Sequence, residues 1–403
     1  MGELWSDADD ARPGPLSGLL VADFSRVLAG PYCTMLLADL GANVIKVESP
    51  GGDDTRSWMP PVTEDGTSTY FLAINRNKRS VALDLKDDGD RALAHELARR
   101  ADVFVQNFKP GGLKRYGLDY EAVSALNPAV IYASISGFGS TGGKDYPGYD
   151  LMVQAMSGLM SLTGDPDGPP YRAGISAFDV IAGLHTTIAI LAALNHRNAT
   201  GEGQHLEASL MASAMSGMVN QTSAYAAGGV VPFRMGNSHP SLFPYEPLPT
   251  GDGELIVTAG NDTQFRKLCD VLGAPELADD PRFNSNPGRT ANREALKPLL
   301  AEKLAAKSAG EWFDALISVG VPCGPINTVD KGIAFAEKIG LEPIVTAGSG
   351  ERTRPSMRHP VTFSKTPASY PLAPPELDEQ GEEIRAWLAK PSSDTPSAQE
   401  DPS

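Results

Sequence analysis

Short apolar runs alternate with helical segments along the first third of this chain, and that alternation constrains the fold more than any other feature. LLVADF (19–24) reads as a buried strand. AGPYCTMLLADLGA (29–42) reads as a helix, with Pro31 tolerated near the first turn, where its missing N–H would be unpaired anyway, and Gly41 ending it. NVIKVES (43–49), SVALDL (80–85), DVFVQNF (102–108) and AVIYASISGFG (129–139) read as further strands. An amphipathic helix at 88–101 and a short one around Tyr120–Leu126 separate the later strands. Strands alternating with helices build right-handed βαβ units, so an α/β fold with a parallel sheet is expected.

The middle of the chain reads as helical at Tyr149–Leu162, Asp179–Asn198 and Leu206–Ala227. Residues 228–250 hold Gly and Pro throughout and read as a linker, after which ELIVTAG (254–260) opens a second unit with helices near 262–272, 291–306 and 309–318. The segment 360–388 reads as a strand, a Pro-rich extended run and a final helix. No internal repeat is visible. A chain of 403 residues predicts two or three domains.

Charge excludes several classes of partner. With 34 basic and 50 acidic residues the net charge is −16, and the average field repels phosphate, so neither nucleic acid nor an anionic membrane is an expected partner. A local basic patch can still hold one phosphorylated ligand. Three cysteines, Cys33, Cys269 and Cys323, with no C-x-x-C pair, argue against a disulfide scaffold and a thiolate zinc site. The six histidines are scattered, with no H-E-x-x-H, and neither a Walker A nor an EF-hand pattern occurs, so no metal is expected. The N-terminus MGELWSDADDARPGP lacks the apolar core of a signal peptide. The most apolar stretch, Val180–Leu194, contains His185 and two threonines and reads as too short to span a bilayer. A soluble cytoplasmic protein is the expectation.

The first βα turn, SRVLAGPYC, has one glycine and is no dinucleotide cradle; it reads as an ordinary turn or as a helix N-terminus facing an anion. Cations cluster in NRNKR (75–79) and at Lys109, Lys114 and Arg115, with Arg26 nearby. Each cluster alone reads as a solvated loop face. Two at the carboxyl ends of presumed parallel strands point to a ligand, because open α/β sheets bind there. Asp179 stands in RAGISAFDVIAGLHTTIAIL, apolar on both sides, at the mouth of a long helix. It is either an N-cap or a carboxylate nucleophile in an apolar wall, and spacing leaves both open.

The ordered set VADFSRVLAGPYCTMLLADLGANVIKVE, FLAINRNKRSVALDL, VFVQNFKPGGLKRYGLDY, YDLMVQAMSGLMSLTG, DVIAGLHTTIAILAAL with NATGEGQ, and GVPCGPIN resembles the family III CoA-transferases, also called the CaiB/BaiF family, from about residue 16 to about 388. The resemblance implies a large Rossmann-like CoA-binding domain from 16–227 and 340–390, the linker at 228–250, a smaller α+β domain with its return linker at 251–339, and disordered tails at 1–15 and 391–403. It also implies an interlocked homodimer. The family's catalytic aspartate falls on Asp179. Its CoA-contacting positions fall on Leu28 and Ala29, on Leu83, Asp84, Leu85 and Lys86, and on Asn107, Phe108, Lys109 and Arg115. Gly148, Tyr149 and Asp150 would lie beside the thioester. CoA and acyl-CoA enter as substrates, and no tightly bound cofactor is implied.

Within the resemblance, α-methylacyl-CoA racemases and carnitine-related enzymes are alternatives to CoA transfer. The racemases place a histidine where this chain has Tyr149. Tyrosine, with a reference pKa of about 10, is a poor base near neutrality, which favours transfer. Tyr149-Asp150 resembles the Tyr-acidic pair of the formyl-CoA:oxalate branch, and Trp58 and Tyr70 look shared with it. Leu28 replaces that branch's glutamine, and MGNSHPSLFPY (235–245) replaces its glycine run, leaving room for a larger acid such as succinate. His239 is read either as reaching the acid pocket or as a plain linker histidine. A CoA-binding protein without catalysis is the further alternative; the presence of Asp179 speaks against it.

Overall fold

The computed structural model describes residues 14–390. The tails expected at 1–15 and 391–403 lie outside them, except for Gly14 and Pro15. The chain divides into two compact units: of the described residues, 14–157, 173–223 and 342–390 form the first, and 158–172 with 224–341 the second.

The first unit is built on six parallel strands: β1 Leu20–Asp23, β2 Asn43–Glu48, β3 Lys78–Ala82, β4 Val103–Gln106, β5 Ile131–Ser136 and β6 Gln204–Ser209, in the order β3-β2-β1-β4-β5-β6. Val21 pairs with Val44 on one side and Val103 on the other, so strand order reverses between β1 and β4. At such a reversal the loops leaving neighbouring strands diverge and open a crevice. The crossovers are α1 Ala29–Asp39, α2 Thr69–Ile74, α3 Asp88–Arg100 and α4 Tyr120–Leu126; α5 Asp150–Ser157 and α6 Ala177–Thr200 follow β5. β1 is buried at every position, as a strand covered on both faces must be. Phe24, just past β1, Phe104 on β4 and Tyr132 on β5 stack ring on ring at 4.6 and 4.8 Å.

The C-terminal segment closes the β3 edge. Ser80 and Gln380 exchange two hydrogen bonds, and the helix Gly381–Ala389 buries Ile384, Trp387 and Leu388 in the same core. This satisfies edge N–H and C=O groups that would otherwise invite association.

Several elements differ from the sequence reading. Leu206–Ala227 was expected to be helical, but Gln204–Ser209 is strand β6, whose register along Ile131–Ser136 outweighs the weak local signal of QHLEAS. The 228–250 stretch ends in a strand, Tyr245–Pro249. A hairpin of Ile344–Ser349 with Arg352–Met357 was not anticipated, and no strand forms at 360–365. The α6 helix, 24 residues long, is apolar and long enough to cross a membrane by length and composition, contrary to the reading of Val180–Leu194. Here it packs on α1, β5 and β6.

The second unit is a three-stranded antiparallel sheet of Tyr245–Pro249, Glu254–Thr258 and Cys323–Pro325, covered by helices Asp262–Val271, Arg293–Leu304 and Ala309–Ser318. Its core holds Phe243, Phe265, Leu268, Leu300, Trp312 and Leu316.

Candidate active site

The site begins with the way α6 starts. Ser176 is its N-cap but makes no side-chain cap, and Asp179 lies in the first turn. The orphan N–H groups are met from another helix: Asp150 Oδ1 accepts from Phe178 N–H at 2.7 Å and from Asp179 N–H at 3.1 Å. Asp150, the first residue of α5, is buried. Of the two roles open to Asp179, capping therefore belongs to Asp150. The Asp179 carboxylate accepts no hydrogen bond among the described residues. Burial, reinforced by the Asp150 charge, pushes its pKa up to about 7. The helix dipole favours the anion there, but desolvation and a like charge outweigh it. The result is an unbonded carboxyl group that stays unusually basic for its type.

Tyr70 stands near it, and Trp58 packs on Tyr70. Tyr70 is half-buried and hydrogen-bonds Ser176; burial raises its pKa, the Ser176 bond opposes that rise and the Asp179 charge adds to it. Trp58 meets Tyr70 edge to face at 5.1 Å. Tyr149 is 64% exposed. Gly148 has a steric reason for its identity: a Cβ there would lie 2.9 Å from the Gly137 nitrogen, and one on Gly137 would lie 2.3 Å from the Gly148 Cα, so the end of β5 and the entry to α5 touch backbone to backbone. His239 lies in the second unit, where Nδ1 accepts from Ser241 N–H at 3.0 Å and the ring packs against Tyr245.

The β1–α1 turn is held from below by buried charges. Val27 adopts φ 71°, a left-handed conformation that costs a β-branched residue energy, and its N–H donates to both Asp53 oxygens at 3.3 Å. Asp53 also pairs with Lys46 at 2.8 Å, and Asp23 pairs with Lys78 at 3.0 Å. Burial would raise Asp23, but Lys78 and Lys46 hold it below its ordinary range; burial lowers Lys78 to about 8. Asn107 fastens the turn from above, its Oδ1 accepting from Arg26 N–H at 2.9 Å and its Nδ2 donating to the Arg26 carbonyl at 2.7 Å. Leu28 and Ala29 follow directly and begin α1.

NRNKR is not a solvated face. Arg76 and Lys78 are buried, Arg76 forking onto Asp39 and Lys78 bonding Asp23, the Pro31 carbonyl and Asn75. These cations are spent on the fold and are not offered to a phosphate. The second cluster is open. Lys109 is 65% exposed and loosely paired with Asp145 at 3.2 Å, and the exposed Arg115 lies over the Tyr116 ring. Leu83 is buried at the end of β3, Asp84 and Leu85 are half-buried, and Lys86 is exposed, its N–H donating to Asp84.

Phe108 and Lys109 line a cleft of about 200 Å³ at the carboxyl ends of β4 and β5. Its floor is a relay that the sequence did not single out. Gln106 donates to Ser134 at 2.9 Å, Ser134 contacts His205 Nε2 at 2.9 Å, and His205, held neutral-leaning by burial, stacks on Tyr120. Gln106 also accepts from Phe108 N–H at 2.8 Å and so sets the course of the 107–109 loop. Its only sequence signal was its place as the last residue of a strand. Among the described residues no group of three or more His, Cys, Asp or Glu is arranged to hold a metal ion.

A basic, unbonded carboxyl group in a half-buried helix mouth suits acyl transfer. The model for CoA-transferase family III matches residues 16–381. The chain belongs to CoA-transferase family III. The succinate–glutarate CoA-transferase of Agrobacterium fabrum is 43% identical over 392 residues, covering 95% of this chain and 98% of its own. The acetyl-CoA:oxalate CoA-transferase of Acetobacter aceti is 42% identical over 390 residues, covering 96% and 99%. The crystal structure of a CaiB/BaiF family protein from Brucella suis superposes with a TM-score of 0.83 at 44% identity, covering 93% of this chain and 99% of that one. The enzyme is a CoA-transferase and uses CoA thioesters as substrates.

Proposed function

We propose that the enzyme moves CoA between an acyl-CoA and a carboxylic acid through an aspartyl-CoA thioester on Asp179. The observation that carries the proposal is the Asp179 carboxylate: unbonded, pushed up to about 7, with its backbone fixed by Asp150. An Asp179 oxygen attacks the thioester carbonyl, the C–S bond breaks, and CoA leaves as a thiolate, giving a mixed anhydride. The thiolate attacks the aspartyl carbonyl and expels the first acid as its carboxylate. The incoming carboxylate attacks this aspartyl-CoA thioester, and the freed thiolate then takes the new acyl group and releases Asp179. No net proton or electron is consumed. The acceleration comes from alignment and from keeping water off the anhydride.

CoA lies along the strand ends, with Leu28 and Ala29 at the first turn, Leu83 to Lys86 after β3, and Asn107, Phe108, Lys109 and Arg115 after β4. The exposed cations Lys109 and Arg115 suit its phosphates. Asn107 acts on this site through the Arg26 backbone it holds. Tyr149, Trp58 and Tyr70 frame the acyl group. The acceptor acids are dicarboxylates, as succinate, glutarate and oxalate in the names of the two relatives are, although the second of those names gives acetyl-CoA as its donor; succinyl-CoA is the donor here.

The working form is an interlocked homodimer in the cytoplasm. Leu184, Ile188 and Leu191 support the dimer: they form one exposed apolar stripe on α6 of a single chain, 39%, 63% and 36% open. The decisive experiment pairs acyl-CoA donors with carboxylic acids, followed by mass spectrometry, with hydroxylamine added to convert the intermediate to a hydroxamate on Asp179. The expected result is exchange among dicarboxylates with a hydroxamate at Asp179, both lost in Asp179→Ala, which keeps CoA binding. Substantial exchange by Asp179→Ala moves the nucleophile elsewhere. A wild-type enzyme that binds CoA without exchange is a binding protein.

A further inference from the structure

Gln154 lies one helical turn beyond Asp150 on α5, and its side chain is completely buried at 0% exposure. Its carboxamide meets three partners. Nε2 donates to Asp150 Oδ2 and, at 3.1 Å, to the Ile175 carbonyl, while Oε1 accepts from Ala173 N–H at 2.8 Å. Two acceptors and one donor around one planar group suit a carboxamide: a carboxylate lacks the donor, a lysine the acceptor, and a methionine the donor, with only a weak acceptor in its sulfur. An incorrect group here is costly, because each partner would face burial unpaired.

The bonds converge on one place. Ala173 and Ile175 lie just ahead of α6, so the amide ties the approach to that helix at two points. Its third bond occupies Asp150 Oδ2 and leaves Oδ1 aimed at the N–H groups of Phe178 and Asp179. The sequence from Gln154 to Asp150 to the Asp179 backbone is therefore a continuous chain of hydrogen bonds ending at the reacting residue's own peptide unit.

We infer that Gln154 is a positioning residue for CoA transfer, holding through Asp150 and the 173–175 loop the line along which the Asp179 carboxylate meets the thioester. The inference rests on the reading of Asp179 as nucleophile. Misplacement of an attacking group by about 1 Å costs on the order of 100-fold in rate. Binding of CoA is left largely untouched, because the cations assigned to its phosphates stand on other loops.

The test uses the full-length enzyme with a donor and acid that the wild type exchanges, and the variants Gln154→Met and Gln154→Glu. Gln154→Met removes all three bonds at similar length. The expected result is a fall in kcat of roughly 10- to 100-fold, with KM for the CoA thioester within about threefold and hydroxamate formation on Asp179 slowed in parallel. Gln154→Glu keeps the shape and sets a second carboxylate against Asp150, which shifts the acid limb of kcat/KM to higher pH. This readout stands if the methionine variant does not fold. A folded Gln154→Met enzyme with wild-type kcat overturns the inference, as does a KM that rises as far as kcat falls, or an unmoved limb in Gln154→Glu. A wild-type hydroxamate that forms equally fast in Gln154→Met removes this inference alone. Absence of any hydroxamate on wild-type Asp179 removes the nucleophile and the inference together.

Discussion

Replacing Asp179 with asparagine stabilises the folded protein, and it does so only where the pH is high enough. In the unfolded chain the carboxyl group releases its proton near 3.8, whereas in the folded protein it holds on to about 7. Between those values the folded state carries a proton that the unfolded state has lost, so raising the pH weakens the fold, and the penalty is complete above about 7. The rise of roughly three pH units corresponds to about 4 kcal/mol; solvent reaching the partly exposed side chain trims this to about 2–3 kcal/mol. Asparagine has no such charge. Asp179→Asn should therefore exceed the wild type by about 2–3 kcal/mol at pH 8, by about a third of that at pH 5, and by almost nothing at about pH 3. At pH 8 the Tm difference is roughly 2–4 °C. The assay is thermal unfolding of both proteins at matched concentration across that range. A Tm gap independent of pH, or a less stable Asp179→Asn at pH 8, refutes the reasoning, because it means the carboxylate is already well solvated or bonded.

If Asp179 attacks as its anion, as proposed, kcat/KM should fall as the pH drops through about 7, and Asp150→Asn should move that limb toward acid by removing the neighbouring charge; pH–rate profiles check both. Lys78→Met leaves Asp23 buried without its ion-pair partner and should cost about 3–5 kcal/mol in urea unfolding. Gly137→Ala forces a Cβ to within 2.3 Å of Gly148 Cα; its expected cost is about 1–3 kcal/mol, with a kcat loss as Tyr149 and Asp150 shift, seen by unfolding and by rate.

The first five strands were legible because each is a short apolar run closed by a turn, a pattern local to the residues that make it. β6 was not, because QHLEAS becomes a strand only through its pairing with Ile131–Ser136. The charges of NRNKR misled for the same reason: Arg76 meets Asp39 across 37 residues and Lys78 meets Asp23 across 55, distances at which a linear pattern carries no sign of partnership. At the candidate site Asp179 was visible as a lone acid among apolar neighbours. The division of labour around it was not, since the group that caps its helix lies 29 residues upstream and Gln154 works at an i, i+4 spacing that any exposed helix also offers.

Gly183 lies one helical turn beyond Asp179, and a methyl group there would sit 2.7 Å from the Ala29 carbonyl oxygen, so α6 crosses the start of α1 with no side chain between them. Sliding α6 along the start of α1 would break this close main-chain approach, so the helix bearing Asp179 and the loop expected to contact CoA should keep their register, and an opening that exchanges one acid for the next is expected in the walls around them.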